Sequence, residues 1–542
     1  MPVVSQRSRP PLTDPDPVLR LMGAVSAGFY AMSNEIETET FRREPLPDSP
    51  GMVEDSSERT PLLERSEITS RATRGAVSIM ARGFGIRVIG MLGNILLARM
   101  LLPRDFGIIS LGNTIVTFGA FIASGGLAAA LVREPGKVAR CDLQVVFGFQ
   151  LAMTTLVAAG VTVIGSPLGQ AGAVAAIMTW SLVIDSGRAA NAIPLEREMA
   201  YRLVLQAEIV EVIAWNAFAV VAVLAGFGVW GVAVAQIVRA LTGYFCLTLR
   251  GPTGFLLPRW NWGRTRQLLS LGFQFQGLQV VILIRDQGMA IMIAAIGGFT
   301  ALGVWNIVYR FTTVVIILME SLWRVSFPAM SRLRETGENP IPVVEKAASM
   351  ASVISGLLVV PLAGSAPALV PVLFGPHWTP AVRVLPLAAC SVMLAGPISS
   401  IAVGYLLSEN RAGVLLRMAV FDGLATWAVG LPLLATVGVI GVGVGQIASG
   451  LVDLVFLTVA VWQRRWSHGF SVTLIPLAAV VAASLPAWAM ATSLGKGIAA
   501  LVVSVVVGEL LYLAIVLVCR GTVLDDAVRL GRRTFRSFAH AT

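Results

Sequence analysis

One fourteen-residue stretch, Gly228-Val-Trp-Gly-Val-Ala-Val-Ala-Gln-Ile-Val-Arg-Ala-Leu241, recurs 210 residues later as Gly438-Val-Ile-Gly-Val-Gly-Val-Gly-Gln-Ile-Ala-Ser-Gly-Leu451, with eight identical positions. A weaker echo joins Asp105-Phe-Gly107-Ile-Ile to Ala301-Leu-Gly303-Val-Trp. Apolar composition inflates such matches, but the shared spacing of glycines and glutamine is less easily produced by chance. The sequence therefore predicts an internal duplication.

The repeats lie within a series of apolar stretches that begins near residue 75. Of the 542 residues, 56% are hydrophobic and 13% charged, and the mean hydropathy is +0.77. Soluble domains carry about 25% charged residues, so this composition excludes a soluble enzyme and a disordered or fibrous chain. We predict an all-α polytopic membrane protein with about 14 transmembrane helices, since each stretch suffices to cross a bilayer. The predicted spans are 76–101, 106–132, 143–166, 171–192, 203–226, 228–249, 269–296, 300–326, 347–374, 381–406, 412–436, 438–462, 471–492 and 497–519.

Six predicted spans separate the two copies of the repeat, so both copies face the same way. This arrangement predicts two six-helix lobes related by a pseudo-two-fold axis along the membrane normal, with a site at their interface. The expected divisions are a disordered cytoplasmic tail (1–73), an N-lobe (74–250), a C-lobe (251–465), two extra helices (466–519) and a basic cytoplasmic tail (520–542).

The distribution of positive charge predicts the orientation. With the N-terminus inside, the inside connections carry fifteen Lys and Arg residues and the outside connections three. We expect a bacterial cytoplasmic (inner) membrane protein with both termini in the cytoplasm. The net charge of +10 then sets topology and indicates no nucleic-acid partner. The four cysteines are far apart and fit no metal or redox spacing, so we expect no metal and no cofactor.

Polar residues inside the predicted spans are the candidates for a site, because intramembrane charge is costly. One polar stripe in span 300–326 contains Asn306, Arg310, Thr313, Glu320 and Arg324 at helical spacing. Two other predicted spans also have a polar face. In the first span this face contains Arg87 and Asn94. In the seventh it contains Gln276, Gln279 and Asp286, and Arg285 lies about 100° around the helix from it. Other spans contribute Glu208, Glu211, Asp422, Gln446, Ser449 and Asp453.

These residues allow a functional and a structural interpretation. The substrate-binding candidates in a central cavity are Arg87, Asn94, Gln276, Gln279, Arg285, Asn306 and Arg310, and the ion-coupling candidates are Asp286, Glu320 and Asp453. The alternative is that the charges pair across helices or extend to the interface. Extension to the interface is expected for the arginines near predicted span ends, Arg82, Arg99, Arg239 and Arg324. Asp286 has three options: a ligand residue, an ion site, or the partner of Arg310.

Several motifs resemble a known family. Asn94-Ile-Leu-Leu-Ala-Arg-Met-Leu-Leu-Pro-Arg-Asp-Phe-Gly107 is similar to the Ala-Arg-Leu-Leu-Gly-Pro-x-Asp-Phe-Gly element that opens Wzx-type oligosaccharide flippases, with Leu102 in place of Gly. Leu302-Gly-Val-Trp-Asn-Ile-Val-Tyr-Arg310 and Leu373-Phe-Gly-Pro-His-Trp-Thr-Pro-Ala381 also look like this family. It belongs to the multidrug/oligosaccharidyl-lipid/polysaccharide (MOP) exporter superfamily, and the resemblance covers roughly residues 74–465.

The resemblance implies a V-shaped pair of six-helix lobes around a cavity that opens alternately to each side of the membrane. The implied substrate is an undecaprenyl-diphosphate-linked oligosaccharide that moves to the outer leaflet, with possible coupling to Na⁺ or H⁺ and with a polysaccharide polymerase or assembly proteins as partners. The alternatives are a lipid II flippase of peptidoglycan synthesis, a drug or metabolite antiporter, a membrane enzyme and a lipid-binding scaffold. Short, nearly uncharged outside connections disfavour the enzyme, so no catalytic residues are expected.

Overall fold

The computed structural model describes residues 89–134, 138–198, 200–335, 339–409, 411–462, 466–495 and 497–539, and within these ranges every regular element is helical. The first half contains α1 (Ile89–Met100), α2 (Pro103–Ser124), α3 (Leu127–Arg133), α4 (Arg140–Gly165), α5 (Gly169–Arg197), α6 (Tyr201–Leu224) and α7 (Gly228–Arg250). The second half contains α8 (Trp262–Met292), α9 (Gly298–Glu335), α10 (Ile341–Gly364), α11 (Ala366–Phe374), α12 (Thr379–Ser408), α13 (Ala412–Val437) and α14 (Val439–Trp462), followed by α15 (Trp466–Ser493) and α16 (Ile498–Ala539).

The predicted spans overlap these helices, although spans 106–132 and 347–374 are each divided into two helices. Eleven described stretches are long and apolar enough to cross a membrane, and two of them, Arg140–Arg197 and Gln279–Met319, pass through a tight turn that joins two predicted spans. The prediction of an all-α polytopic membrane fold is therefore confirmed. The number fourteen stays a prediction, as do the lobe boundaries, because span 76–101 is described only from residue 89 and the tail 1–73 lies outside the described residues.

The same packing scheme occurs in both halves. In the first half, α5 packs against α2, α4 and α7, and α6 packs against α7. In the second half, α12 packs against α9, α10 and α14, and α13 packs against α14. Each pair in one half thus has a counterpart six predicted spans later in the other, which is the packing that an internal duplication with parallel copies requires.

The glycines of the repeated sequence explain why it was detectable. Gly228 and Gly438 have φ of 54° and 69°, a left-handed conformation that other residues rarely adopt, at the turn that leads into α7 and α14. Three residues later, a Cβ at Gly231 or Gly441 would press into the end of the preceding helix. Each copy therefore closes a helical hairpin, because its glycines permit a tight turn and a close helix contact.

The weaker echo marks the crossing of α2 and α9, where the two halves meet. A Cβ at Gly107 would overlap the backbone oxygen of Phe299, and a Cβ at Gly303 would overlap the backbone oxygen of Pro103. The two contacts are equivalent. Gly303 lies 196 positions after Gly107, and Phe299 lies 196 positions after Pro103, so each helix makes the same contact with the other. Such reciprocity is the signature of a two-fold axis, so the pseudo-axis passes between α2 and α9 at these glycines.

Helix α8 connects the halves. Near its start, Arg264 binds Glu134 at 2.5 Å and Asp142 at 2.9 Å, both in the first half. These hydrogen bonds, first to Glu134 and then to Asp142, raise the pKa of the Arg264 guanidinium above its ordinary value. The C-terminal end of α8 continues into a short π-helical segment, Ile293–Gly297, that packs against α13. One helix therefore carries contacts from the first half to the interior of the second.

A second contact between the halves lies at the end of α1. Arg99 donates to the carbonyl oxygen of Leu373 at 2.8 Å, and the indole nitrogen of Trp378 donates to the carbonyl oxygen of Ala98 at 2.8 Å. Trp378 is fully buried and meets Phe106 edge to face, with ring centroids 5.2 Å apart. The guanidinium of Arg99 thus satisfies carbonyl groups at the end of α11, which are otherwise orphaned at a helix C-terminus.

Candidate substrate cavity

A cavity of about 630 Å³ lies beside the crossing of α2 and α9. Its walls are formed by α8, α9, α12, α13 and α14 of the second half and by α2 of the first half. The volume is typical of sites that enclose a small ligand or the headgroup of a larger one. Among the described residues, this candidate cavity therefore lies mostly within the second half and meets the first half at α2.

Two helices related by the pseudo-axis line this cavity with matching stripes. The stripe of α2 consists of Ser110, Asn113, Thr114 and Thr117, and that of α9 consists of Asn306, Tyr309, Arg310 and Thr313, each 196 residues later. The match extends to hydrogen bonds, because Thr117 and Thr313 each donate at 2.8 Å to the carbonyl oxygen four residues earlier. The stripes differ most where Thr114 corresponds to Arg310, since only α9 places a charge there.

Arg310 is held by a single amide, that of Asn306, and none of the described carboxylates pairs with it. Its Nε donates to Oδ1 of Asn306 at 2.8 Å, and Nδ2 of Asn306 donates to Oγ of Ser110 at 2.9 Å. Among the described residues, Arg310 forms no ion pair. A cation in this setting favours an anionic ligand, because no described carboxylate forms an ion pair with it.

Arg285 also lines the cavity, but its charge is shared. Its guanidinium binds Asp286 at 2.7 Å and also Asp422 of α13, whose other oxygen accepts a hydrogen bond from Ser449 of α14. The indole nitrogen of Trp427 donates to the carbonyl oxygen of Arg285 at 3.4 Å. The predicted pairing of Asp286 with Arg310 is therefore wrong among the described contacts, because Asp286 forms its ion pair with Arg285, its neighbour in sequence. The other two options, a ligand residue and an ion site, stay predictions.

Asp453 is the remaining acidic residue of the cavity. It lies on α14 one turn beyond Ser449, and one of its carboxylate oxygens is buried without a hydrogen-bond partner in the described structure. Together with Asp286 and Asp422 it gives this wall three carboxylates for one arginine, Arg285. No described group of three or more His, Cys, Asp or Glu side chains is arranged to hold a metal ion.

Several predicted site residues lie elsewhere. The side-chain amide of Asn94 donates to the carbonyl oxygen of Gly90 at 2.7 Å, a hydrogen bond within its own helix. Gln276 lies 3.5 Å from Ser124 and Gln279 is exposed, because this part of α8 runs alongside the first half before the helix reaches the cavity. None of these three lines the cavity. Arg87 and the side chain of Glu320 fall outside the described residues.

The predicted set omitted the stripe of α2. Ser110, Asn113, Thr114 and Thr117 follow the helical spacing of three, four and seven residues. They could have been identified from the weaker sequence repeat, because its offset of 196 residues aligns them with the stripe of α9. Uncharged polar residues do not stand out in an apolar helix, whereas their alignment with Arg310 does.

The first half has a charged cluster of its own, away from the cavity. Arg239 lies 3.1 Å from Asp185 and 3.6 Å from Glu211, and Arg188 lies 3.3 Å and 3.6 Å from the same two carboxylates. A Cβ at Gly243 would overlap Glu211, so this glycine makes room for the cluster. These four side chains form ion pairs of two cations with two anions, and Arg239 thus pairs within the helix bundle instead of extending to the interface.

Comparison with known proteins places this geometry in a family. The profile of a family described as polysaccharide biosynthesis protein matches residues 96–383, just over half of the chain. The chain belongs to this family. It is also similar to the succinoglycan biosynthesis transport protein ExoT of Rhizobium meliloti (strain 1021), with 25% identity over 341 residues that cover 61% of this chain and 68% of ExoT.

Solved structures show the same fold. The lipid II flippase MurJ, in an inward closed conformation, superimposes with a TM-score of 0.65 and 12% identity, covering 83% of this chain and all of MurJ. An inward-facing multidrug resistance MATE family transporter of the MOP superfamily gives 0.51 and 13%, covering 71% and 95%. The resemblance seen in the sequence is therefore confirmed: this is a multi-pass membrane protein of a polysaccharide biosynthesis family, with the fold of MOP superfamily transporters.

Proposed function

We propose that the protein is a flippase that moves an oligosaccharide linked to undecaprenyl diphosphate from the cytoplasmic to the outer leaflet, by alternating access. The observation that carries this proposal is Arg310, a cation that pairs with no carboxylate in the described part of the chain, in a polar cavity between membrane-spanning helices. A guanidinium suits phosphate oxygens in a partly dehydrated site, because it offers several donors in a fixed plane.

The rest of the cavity suits a sugar attached to that diphosphate. Asn113, Gln287 and Gln446 line it with amides, and Thr117 and Thr313 add hydroxyls. Amide and hydroxyl groups both donate and accept, so they match the hydroxyl groups of a glycan. A polyprenyl tail is as apolar as the bilayer, and in this proposal it stays among the lipids while the headgroup crosses.

The coupling ion in this proposal binds at Asp453. Asp286 is engaged by Arg285 at 2.7 Å, whereas Asp453 has a buried oxygen without a partner. A proton or Na⁺ on Asp453 would reduce the excess of negative charge that three carboxylates create around one arginine. A polysaccharide polymerase or assembly protein would receive the product.

The direction of transport in this proposal rests on the predicted orientation. Fifteen basic residues on one set of connections against three on the other favour an inner-membrane protein with both termini in the cytoplasm. With that orientation, the direction implied by the family resemblance is from the cytoplasmic to the outer leaflet.

Complementation tests the proposal. A strain that lacks the protein should lose surface polysaccharide and accumulate lipid-linked oligosaccharide on the cytoplasmic face. The wild-type chain should restore export, Arg310→Ala should not, and Arg383→Ala, an exposed arginine remote from the cavity, should serve as the matched control. Normal export by Arg310→Ala, at wild-type membrane abundance, would contradict the proposal. Loss of peptidoglycan with intact surface polysaccharide would identify a lipid II flippase instead.

A further inference from the structure

One hydrogen bond crosses between the two halves at the pseudo-axis. Ser110 of α2 and Asn306 of α9 are 2.9 Å apart, and their positions differ by the same 196 residues that relate Gly107 to Gly303. Both residues follow their glycine by three positions, so the bond lies one helical turn from the contact that holds the halves together.

The orientation of the Asn306 amide is dictated by its neighbours. Arg310 has only donors, so its Nε requires the carbonyl oxygen of Asn306, at 2.8 Å. The amide nitrogen of Asn306 must then face Ser110, whose hydroxyl oxygen accepts from it. The sequence Ser110, Asn306, Arg310 is thus a chain of hydrogen bonds with a single direction.

This chain fixes the arginine that the cavity presents. Engaging Nε defines the plane of the guanidinium, because the group is rigid and planar. The two terminal nitrogens of Arg310 form no hydrogen bond with any described residue, so they are left for a ligand in the cavity.

We propose that Asn306 is a positioning residue for Arg310 and that Ser110 holds it in place from the other half of the protein. This inference rests on the proposed function and assigns Asn306 to orienting the arginine instead of binding the sugar. It makes the affinity for a diphosphate headgroup depend on whether α2 and α9 are in contact. When the halves separate at this point, Asn306 loses Ser110, Arg310 regains rotamer freedom, and the headgroup is released more readily.

Binding measurements on three kinds of variant test this assignment. The probe is undecaprenyl diphosphate, titrated against the full chain in nanodiscs over a series of salt concentrations. Asn306→Asp should weaken binding as strongly as Arg310→Ala, about 10- to 100-fold, because a carboxylate neutralises the guanidinium. Asn306→Ala should weaken binding by about 3- to 10-fold by freeing the side chain. Ser110→Ala should have the same effect or a smaller one.

The salt dependence separates positioning from a general structural defect. Binding to Asn306→Ala should weaken with added salt as in the wild type, since Arg310 keeps its charge. The response should disappear in Asn306→Asp and Arg310→Ala. Arg383→Ala, with unchanged binding, controls for the loss of an arginine, and thermal unfolding checks that each variant is folded.

The outcomes distinguish this inference from the proposed function. Wild-type binding by Arg310→Ala overturns both. Loss of binding in Arg310→Ala, with wild-type affinity in Asn306→Ala, overturns the positioning role and leaves the proposed function standing. If Asn306→Asp does not fold, Asn306→Ser and Ser110→Ala provide the decision, because wild-type affinity in both would overturn the inference equally.

Discussion

Arg239 in the first half and Ser449 in the second occupy the same position of the repeated sequence, 210 residues apart. Arg239 pairs with Glu211 of the neighbouring helix, and Ser449 hydrogen-bonds Asp422 of its neighbouring helix. Asp422 forms its ion pair with Arg285 on α8, the helix that connects the halves. One half thus completes its ion pairs internally, and the other completes them at the wall of a cavity.

The helices at the pseudo-axis differ in the same way. α2 and α9 share the glycines that set their close approach and the threonines that bond to their own backbone. They differ where Thr114 corresponds to Arg310, on the surface that faces the cavity. The comparison teaches that the shared glycines maintain packing, whereas divergence between Thr114 and Arg310 places a charge in the cavity. Four experiments can break or sharpen this interpretation.

The largest expected effect comes from filling the crossing of α2 and α9. Gly303→Val and Gly107→Val each place side-chain atoms where the backbone of the other helix lies. We expect each to destabilise the protein by about 3 kcal/mol or more, because neither backbone can move away without separating the halves. Thermal unfolding in detergent measures this. Gly413→Val, at an open helical position, is the matched control. A large effect of one variant alone would contradict the pseudo-symmetry.

A charge swap across the axis should follow in size. Arg310→Thr makes α9 resemble α2, and we expect headgroup binding to weaken about 10- to 100-fold with the loss of a charge-assisted contact. Adding Thr114→Arg should restore only part of the binding, because Ser110 is too short to replace Asn306. Exchanging that pair as well, with Ser110→Asn and Asn306→Ser, should restore more. Titration of undecaprenyl diphosphate measures all three. No recovery in the fourfold variant would show that the two walls are not equivalent.

The paired cluster of the first half should respond in stability. Arg239→Ser copies the residue of the second half and leaves Asp185 and Glu211 with Arg188 alone. We expect a loss of about 1–3 kcal/mol, less than for a fully buried pair because Arg239 is partly exposed. Adding Asp185→Asn restores the charge balance and should recover part of the loss in a thermal unfolding series. Equal stability of the single variant and the wild type would mean that the cluster contributes nothing.

The smallest effect concerns coupling. Asp453→Asn removes the unpaired carboxylate of the cavity, and Asp286→Asn removes one that Arg285 engages. We expect transport by Asp453→Asn in proteoliposomes to stop responding to an imposed pH or Na⁺ gradient, whereas Asp286→Asn keeps a response. The opposite ranking would place the ion at Asp286.

Much of this organisation could be predicted from the sequence. The length and hydrophobicity of the spans predicted the membrane fold, since a bilayer demands about 20 apolar residues per helix. The stripe containing Asn306 and Arg310 was predicted as a lining surface and does line the cavity. The ion pair between Arg285 and Asp422 could not be predicted, because it joins helices 137 residues apart in sequence. Asn94, Gln276 and Gln279 were predicted to line the cavity from helical periodicity alone. They do not line it, because periodicity shows which residues share a face but not what that face packs against.

The sequence by itself determined the helices, the duplication and the identity of the intramembrane charges, because these depend on local composition and on comparison of the chain with itself. Only the tertiary structure decided which charges are neutralised and which face the cavity. Arg285 and Arg310 look alike as mid-span arginines, yet the first meets two carboxylates and the second meets an amide. That difference arises from how α8 and α9 pack against their neighbours, since a side chain's available charge depends on what surrounds it.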